Sequence, residues 1–346
     1  MNICFIMYPW ERVEALTDTT LRMIHEAYVR EHNVGIMTPS NLTIRNNDVF
    51  GFVKMIEGSP RLQKDTVKFH KQVKFKEELL PMSGFDVIFL RANPPVDNTM
   101  LNFLDAIKDE VFIVNDVDGI RKANNKLYTA AMFHGKTGII PETHVSKNKE
   151  YLKRVISESK SEKMILKPLD GYGGSGVILL ERKASASVSS LLDFYIHGQK
   201  EQKYVIVQEY IEGADEGDVR ILMLNGKPIG AMKRVPAKDE ARSNIHTGGT
   251  AIKHVLSKVE QRICDLIGPR LVADGLYFVG LDVINGKLIE VNVLSPGGIT
   301  RINKLNRVKL QQKVLDFVED VVVAKEAALS RKLAHQLTVN NAKAKA

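Results

Sequence analysis

Asp282, Glu290 and Asn292 are the residues whose types and spacing most directly suggest chemistry. They lie in FVGLDVINGKLIEVNVLSPGGI, residues 278–299, which reads as two β-strands, 278–284 and 287–293, joined at Asn285-Gly286. An Asn-Gly pair between β-branched runs is a strong hairpin signal. Glu290 and Asn292 are two apart and so share a face of their strand. A strict two-residue turn would pair Asp282 with Ile289 and turn it to the opposite face. A three-residue loop with a bulge would bring Asp282 round to join the other two, and we expect the bulge. Two carboxylates about 4 Å apart repel by roughly 4 kcal/mol at an effective dielectric of 20. These sit among Val, Leu and Ile, where a cation would relieve that cost. An all-oxygen set of two carboxylates and an amide suits Mg²⁺ or Mn²⁺. The same residues would serve equally as the solvent-facing acids of an ordinary hairpin.

Other stretches carry weaker signals. MILKPLDGYGGSGVILL reads as a strand reaching Lys167, a glycine-rich loop with Gly171, Gly173, Gly174, Ser175 and Gly176, and a second strand. Such loops let backbone N–H groups close over phosphates, and a lysine at the strand end adds a point charge. It is not a Walker A loop, since no Gly-Lys-Ser/Thr opens a helix. YVIVQEYI, residues 204–211, is a hydrophobic strand, and Asp218 and Arg220 precede another that turns at Asn225-Gly226. Residues 235–250 are polar, aperiodic and long for a loop inside a compact domain, which is usually functional or disordered. Arg91 ends a strand before Asn93-Pro94-Pro95, a position from which ligands of α/β sheets are held, and so is a candidate for a substrate carboxylate.

The elements that must position these residues follow from pattern. A strand at 2–8, a helix at 18–31 with Leu21, Ile24, Tyr28 and Val29 on one face, and strands at 34–38 and 85–91 come first. A helix near 98–108 and a strand at 111–114 follow, and this alternation implies a parallel α/β sheet. No GxGxxG follows the first strand. The basic run from Arg61 to Lys76 alternates with Val67, Phe69, Val73 and Phe75 like paired strands with one solvated face. A polar stretch at 116–126 suggests a domain boundary, and Lys126 opens a helical run through Phe133. A helix over 258–273 starts with a capping box, Ser257 to Glu260, and buries Val259, Ile263, Leu266, Ile267 and Leu271. A last helix covers about 307–325, and the low-complexity tail from Thr338 reads as frayed.

With 346 residues, 44% hydrophobic and 26% charged, the chain is a soluble globular type of two or three domains. No window approaches a membrane span, and the N-terminus reads as a strand, not a signal peptide. Cys4 and Cys264 suggest buried thiols in a reducing cytoplasm. The net charge of +8 is spread without a nucleic-acid-binding signature, and attraction of ATP and anionic substrates explains it as well.

Taken in order, LRANPPVD (90–97), NNKLYTA (124–130), ILKPLDGYGGSG (165–176), EGDVRIL (216–222), FVGLDVI and IEVNVLSP resemble the bacterial glutathione synthetase family of ATP-grasp ligases, over residues 1 to about 320. The resemblance implies an α/β (α+β) ATP-grasp fold with an N-terminal Rossmann-like parallel-sheet domain (1–122), a small lid (123–203) and a C-terminal antiparallel-sheet domain (204–325). A basic, disordered tail (326–346) follows. It implies ATP and Mg²⁺ or Mn²⁺ as cofactors, with γ-glutamylcysteine or a similar dipeptide and glycine or another amino acid as substrates. Neither nucleic acid nor membrane is implied as a partner, and a homo-oligomer is.

Carried over by position, Lys126 and Lys167 would contact the nucleotide phosphates, with Gly171, Gly173, Gly174, Ser175 and Gly176 folding over them. Gln208, Glu209, Tyr210 and Ile211 would hold the adenine, with Asp218 also on the nucleotide. Asp282, Glu290 and Asn292 would hold the metal. Arg220, Arg234, Arg242 and Asn244 would contact substrate and intermediate, and Arg91, Asn93, Ser295, Gly297 and Gly298 the peptide and acceptor. Departures from the family pattern fall in the substrate half: Tyr8-Pro9 after the first strand, Thr17 near Asp18, Asn93 before the prolines, Thr250 after Gly-Gly, and Gly297-Gly298-Ile299-Thr300-Arg301. They leave a paralogous peptide ligase with another substrate, or a non-catalytic ATP-binding regulator, as alternatives.

Overall fold

A computed structural model describes residues 1–58, 65–132, 138–170, 175–182, 185–198, 201–237 and 249–343. The chain forms two compact units, one of residues 1–92, 99–114 and 309–346, the other of residues 93–98 and 115–308.

The first unit contains β1 (Asn2–Met7), α1 (Thr19–Val29), β2 (Asn33–Met37), β3 (Leu42–Arg45), β4 (Asp48–Glu57), α2 (Thr66–Gln72), β5 (Lys74–Pro81), β6 (Val87–Arg91), α3 (Asn98–Asp105) and β7 (Phe112–Val114). The strands β2-β1-β6-β7 are parallel neighbours, as the strand–helix alternation predicts, and β4 adds antiparallel at the β2 edge with β3 and β5 beside it. Ile3, Cys4, Phe5 and Ile6 are fully buried, and Phe5 stacks on Phe89 at 4.8 Å. Helix α1 is capped by Asp18, whose side chain accepts from the Leu21 N–H. It buries Leu21, Ile24 and Tyr28, but Val29 is exposed, so the expected face was one residue too wide. The basic run is not a strand pair. Val67 and Phe69 belong to α2, whose N-cap Asp65 starts a helix, and the alternation holds only from Lys74 onward in β5.

The second unit contains α4 (Val117–Ala123), α5 (Leu127–Ala130), β8 (Thr143–Ser146), α6 (Lys149–Glu158), β9 (Lys163–Pro168), β10 (Ile178–Glu181), α7 (Ser185–His197) and β11 (Val205–Glu209). It continues with β12 (Asp218–Leu224), β13 (Lys227–Val235), β14 (Thr250–Lys253), α8 (Lys258–Ala273), β15 (Phe278–Ile284), β16 (Lys287–Asn292) and α9 (Ile299–Asn306). Two antiparallel sheets result, β10-β9-β11-β8 and β14-β13-β12-β15-β16. Helices α6 and α7 bury Leu152, Ile156, Leu192 and Ile196 against the first sheet. Both halves of the capping box on α8 are formed, Ser257 with Glu260. Cys264 lies on the buried face of α8 with Ile263, Ile267 and Leu271, whereas Val259 and Leu266 are exposed, contrary to expectation.

Close backbone approach fixes α8 on its sheet. Gly226, in the Asn225-Gly226 turn at positive φ, meets Gly268 of α8, where an added Cβ would lie 2.1 Å from the Gly226 carbonyl oxygen. Helix propensity alone predicts that Gly268→Ala stabilises by about 1 kcal/mol. The packing predicts the opposite sign, a loss of about 1–3 kcal/mol, visible as a lower urea midpoint.

The last helix, α10 (Leu310–Lys343), corrects the sequence reading. It buries Leu310, Val314, Leu315 and Val318 within the first unit, and Arg30 pairs with Asp316 and Glu319. It does not end near 325 or fray from Thr338, and the expected disordered tail is helical as far as Lys343. Its Ala, Leu, Lys and Glu content favours helix even where its side chains are exposed.

Candidate active site

The hairpin β15–β16 carries the site, and register explains how. Its turn has two residues, Asn285 and Gly286, both at positive φ, not the three expected. Ile284 pairs with Lys287 and Val283 with Leu288, after which the register shifts and Asp282 pairs with Glu290. The bulge therefore falls at Ile289 inside the strand, not in the loop. Its effect is the expected one: Asp282, Glu290 and Asn292 share a face.

The same face continues across the sheet. Arg220 on β12 pairs with Asp282 on one side and Met232 on the other, and Asp218 pairs with Arg234 of β13. Side chains of period two thus bring Arg234, Asp218, Arg220, Asp282 and Glu290 together. Gly280 makes room for this row, since a Cβ there would lie 3.3 Å from Arg220 Cδ and 3.1 Å from Pro296. Arg220 donates to Asp282 from Nε at 2.5 Å and from Nη2 at 3.0 Å. Arg234 reaches the same carboxylate at 3.0 Å and is also bound by Asp218 through Nε and Nη2. Asn292 donates to Asp282 Oδ2 at 3.1 Å. Burial alone would push the Asp282 carboxyl up, but the two guanidinium groups more than reverse this and hold it at about 2.

Opposite lie the lysines. Lys126 is the N-cap residue of α5, and its Nζ is 3.4 Å from Glu290. Lys167, near the end of β9, is buried and donates to Gln208 Oε1 at 2.8 Å, while Gln208 donates to Thr143. Burial, reinforced by Lys126, lowers Lys167 to about 8 against the opposing pull of Glu290 and Asp282.

These groups line one cavity of about 570 Å³ within the second unit. Lys126, Lys167, Ser175, Gln208, Glu209, Tyr210, Ile211, Asp218, Arg220, Arg234, Asp282, Glu290, Asn292, Asn93, Ser295, Gly297 and Gly298 all line it. Gly176, at positive φ, is described, but it is not among the lining residues. Arg91 is not among them either. It belongs to the first unit, buried, with Nε donating to Thr20, and burial lowers it to about 10. Asp18 accepts there from the Tyr8 hydroxyl, which accounts for the Tyr8 departure as a hydrogen-bond partner of the α1 cap. Gly171, Gly173, Gly174, Arg242 and Asn244 lie outside the described residues.

Sequence reasoning missed Asn115, Thr129 and the apolar wall. Asn115 exchanges hydrogen bonds with the Phe278 backbone and donates to the Val293 carbonyl at 2.6 Å, fixing the base of the hairpin. Thr129 accepts from the Val291 N–H. A lone Asn after the apolar run VFIV was the one available sign. Ile165, Val177, Leu179, Met232 and Leu294 supply apolar surface to the cavity. Cys4 and Cys264 are free and buried, with burial raising Cys264 to about 12, so neither serves as a nucleophile.

The donor set fits a hard divalent cation: two carboxylates and an amide on one face, beside cations suited to phosphate. Among the described residues, no trio of His, Cys, Asp or Glu offers a competing metal site.

Residues 1–121 match the family model for the N-terminal domain of prokaryotic glutathione synthetase, and residues 125–307 that for its ATP-grasp domain. Glutathione synthetase from Thermosynechococcus vestitus is 35% identical over 325 residues, spanning 92% of this chain and 99% of the relative. That from Agrobacterium fabrum is 34% identical over 321 residues, spanning 92% and 96%. Solved structures share the fold at low identity. The ATP-grasp ligase PsnB with precursor peptide PsnA2 and AMPPNP has a TM-score of 0.59 at 13% identity, covering 93% of this chain and 98% of that one. The D-alanine–D-alanine ligase of Coxiella burnetii has a TM-score of 0.58 at 9% identity, covering 97% and 99%. With both halves of the family matched and the hairpin, lysines and arginines facing one cavity, the chain belongs to the prokaryotic glutathione synthetase family, with an ATP-grasp fold.

Proposed function

We propose that this chain joins γ-glutamylcysteine to glycine at the expense of ATP, giving glutathione, ADP and phosphate. The single observation that carries the reading beyond family membership is the row of Arg220, Asp282 and Glu290 on one sheet face, opposite Lys126 and Lys167, in one cavity. In this reading residues 123–203 act as the lid and 204–308 as the metal-bearing part, α10 belonging to the first unit. The backbone of Gln208 to Ile211 holds the adenine. Lys126 and Lys167 hold the triphosphate from the lid side, and Arg220 from the sheet side. Arg220 also donates to the Gly297 carbonyl at 3.2 Å, which ties it to the turn that leads into α9.

The dipeptide carboxylate attacks the γ-phosphoryl group, releasing ADP and leaving an acyl phosphate. The glycine amine then attacks that carbonyl and phosphate departs, so an amide forms without an enzyme nucleophile. Asp282, Glu290 and the Asn292 amide would hold Mg²⁺ or Mn²⁺, which when bound offsets charge on the phosphoryl oxygens. The apolar wall limits water around an intermediate that hydrolyses readily.

A phosphate-release assay with Mg-ATP tests the reading. Release that needs both γ-glutamylcysteine and glycine is expected, whereas release with a different amino-acid pair would assign another peptide ligase. No release with any pair would leave a nucleotide-binding regulator. A cytoplasmic location rests on the two buried free thiols, and self-association on the resemblance alone. No described helix is long and apolar enough to cross a membrane.

Lys167 gives a pH signature. It is charged below about 8 and neutral above, so affinity for the nucleotide phosphates declines as pH rises through 8. Lys167→Arg stays charged throughout this range and flattens the decline. Calorimetric titration of a non-hydrolysable ATP analogue at several pH values measures both.

A further inference from the structure

The prospective metal ligands are already satisfied by the protein itself. Asp282 is 8% exposed, and its Oδ2 accepts from Arg220, Arg234 and Asn292 at once, at 3.0, 3.0 and 3.1 Å. Its Oδ1 is taken by Arg220 Nε at 2.5 Å. A carboxylate offers about four acceptor sites, so little of Asp282 remains for a cation. Glu290 faces Lys126 at 3.4 Å. Among the paired groups, Arg220, Arg234 and Lys126 balance Asp218, Asp282 and Glu290, and Lys167 adds a further positive charge to the same cavity below about pH 8. A bare divalent cation would add two more positive charges to groups that already have no negative charge to spare, which is costly. A polyanionic triphosphate arriving with the metal supplies the missing negative charge and gives the arginines new partners.

Arg234 is built to let go. It is shared between Asp282 and Asp218, and Asp218 is itself 4% exposed. When Asp282 turns to a metal, Arg234 keeps a carboxylate and no buried charge is stranded.

We propose that Arg234, anchored by Asp218, is a positioning residue that together with Arg220 clamps Asp282 in place of a divalent cation, so that the metal binds with the nucleotide and not before it. This rests on the ligase reading of the cleft and adds an order of binding to it.

The test is Mn²⁺ binding to the full chain, followed by electron paramagnetic resonance and by water-proton relaxation, which distinguishes protein-bound Mn²⁺-nucleotide from the free complex. Ligand-free wild-type protein is expected to leave Mn²⁺ in solution. Addition of a non-hydrolysable ATP analogue is expected to produce strong relaxation enhancement. Arg234→Gln removes part of the clamp and should raise the ligand-free Mn²⁺ affinity by about tenfold or more. Arg234→Lys, which keeps the charge but cannot span both carboxylates as the guanidinium does, should fall between wild type and Arg234→Gln. Circular dichroism checks that each variant is folded. Stoichiometric Mn²⁺ binding by ligand-free wild type, abolished by Glu290→Gln, would overturn the proposal even if Arg234→Gln fails to fold. So would a folded Arg234→Gln variant whose ligand-free affinity is unchanged. Absence of enhancement with the analogue in every protein would instead overturn the reading of the cleft, and this inference with it.

Discussion

Glu290→Gln is expected to yield a folded protein whose turnover has fallen by about two to three orders of magnitude. The exchange keeps size and shape and removes one negative charge. In the structure Glu290 makes a partly buried pair with Lys126 at 3.4 Å, their side chains 30% and 10% exposed. The contact is long and glutamine keeps the size and shape, so the loss of stability should stay at about 1–2 kcal/mol, small beside the loss of turnover. The chemical loss is large because Glu290 is one of two anionic oxygen donors on the hairpin face. An amide in its place weakens the hold on a cation that must offset charge during phosphoryl transfer. Stability by thermal melt and turnover by phosphate release separate the two effects. Activity within a few-fold of wild type would remove Glu290 from the metal site.

The contrast with Asp282 bears on how much the sequence could reveal. The hairpin, its turn residues and the shared face of Glu290 and Asn292 follow from alternation and from Asn285-Gly286, which are local signals. Asp282 joins them only through the bulge at Ile289, and nothing in the residue types says which position is extra. The pairing of Arg220 and Arg234 with Asp282 is further from local information. It depends on the register of β15 against the β12–β13 hairpin, from which a long polar segment, β14 and a helix separate it in the chain. From sequence the arginines read as contacts for substrate and Asp282 as a metal ligand, whereas in the structure they bind one another. The first unit shows the same division. The parallel order of β1, β2, β6 and β7 follows from strand–helix alternation, while the strand-like run at Val67 and Phe69 gives way to α2 because Asp65 caps a helix there. The exposed end of α10 escaped a pattern search because no buried face marks it.

Asp282→Asn should therefore behave unlike the Glu290 variant, losing more stability as well as turnover. Removing one member of a buried pair leaves its partner charged and poorly solvated, at a cost of about 3–5 kcal/mol. Here the lower end is expected, because Arg234 keeps Asp218 and Arg220 keeps the Gly297 carbonyl. The pH dependence gives an independent reading. Asp282 is held at about 2 in the folded chain, below its ordinary 3.8. Between those values the unfolded chain takes up a proton that the folded chain refuses, so acid favours unfolding. The contribution is complete above 3.8 and is lost as pH falls toward 2, about 2 kcal/mol in all. The variant has no carboxyl there and should lose stability less steeply in acid. Urea midpoints at neutral pH and at about pH 3 decide the matter, because the gap between wild type and variant must narrow in acid if the two guanidinium groups are what hold Asp282 ionised. Parallel curves would mean that the stabilising contacts of Asp282 are indifferent to its charge, and the clamp would then be a matter of shape alone.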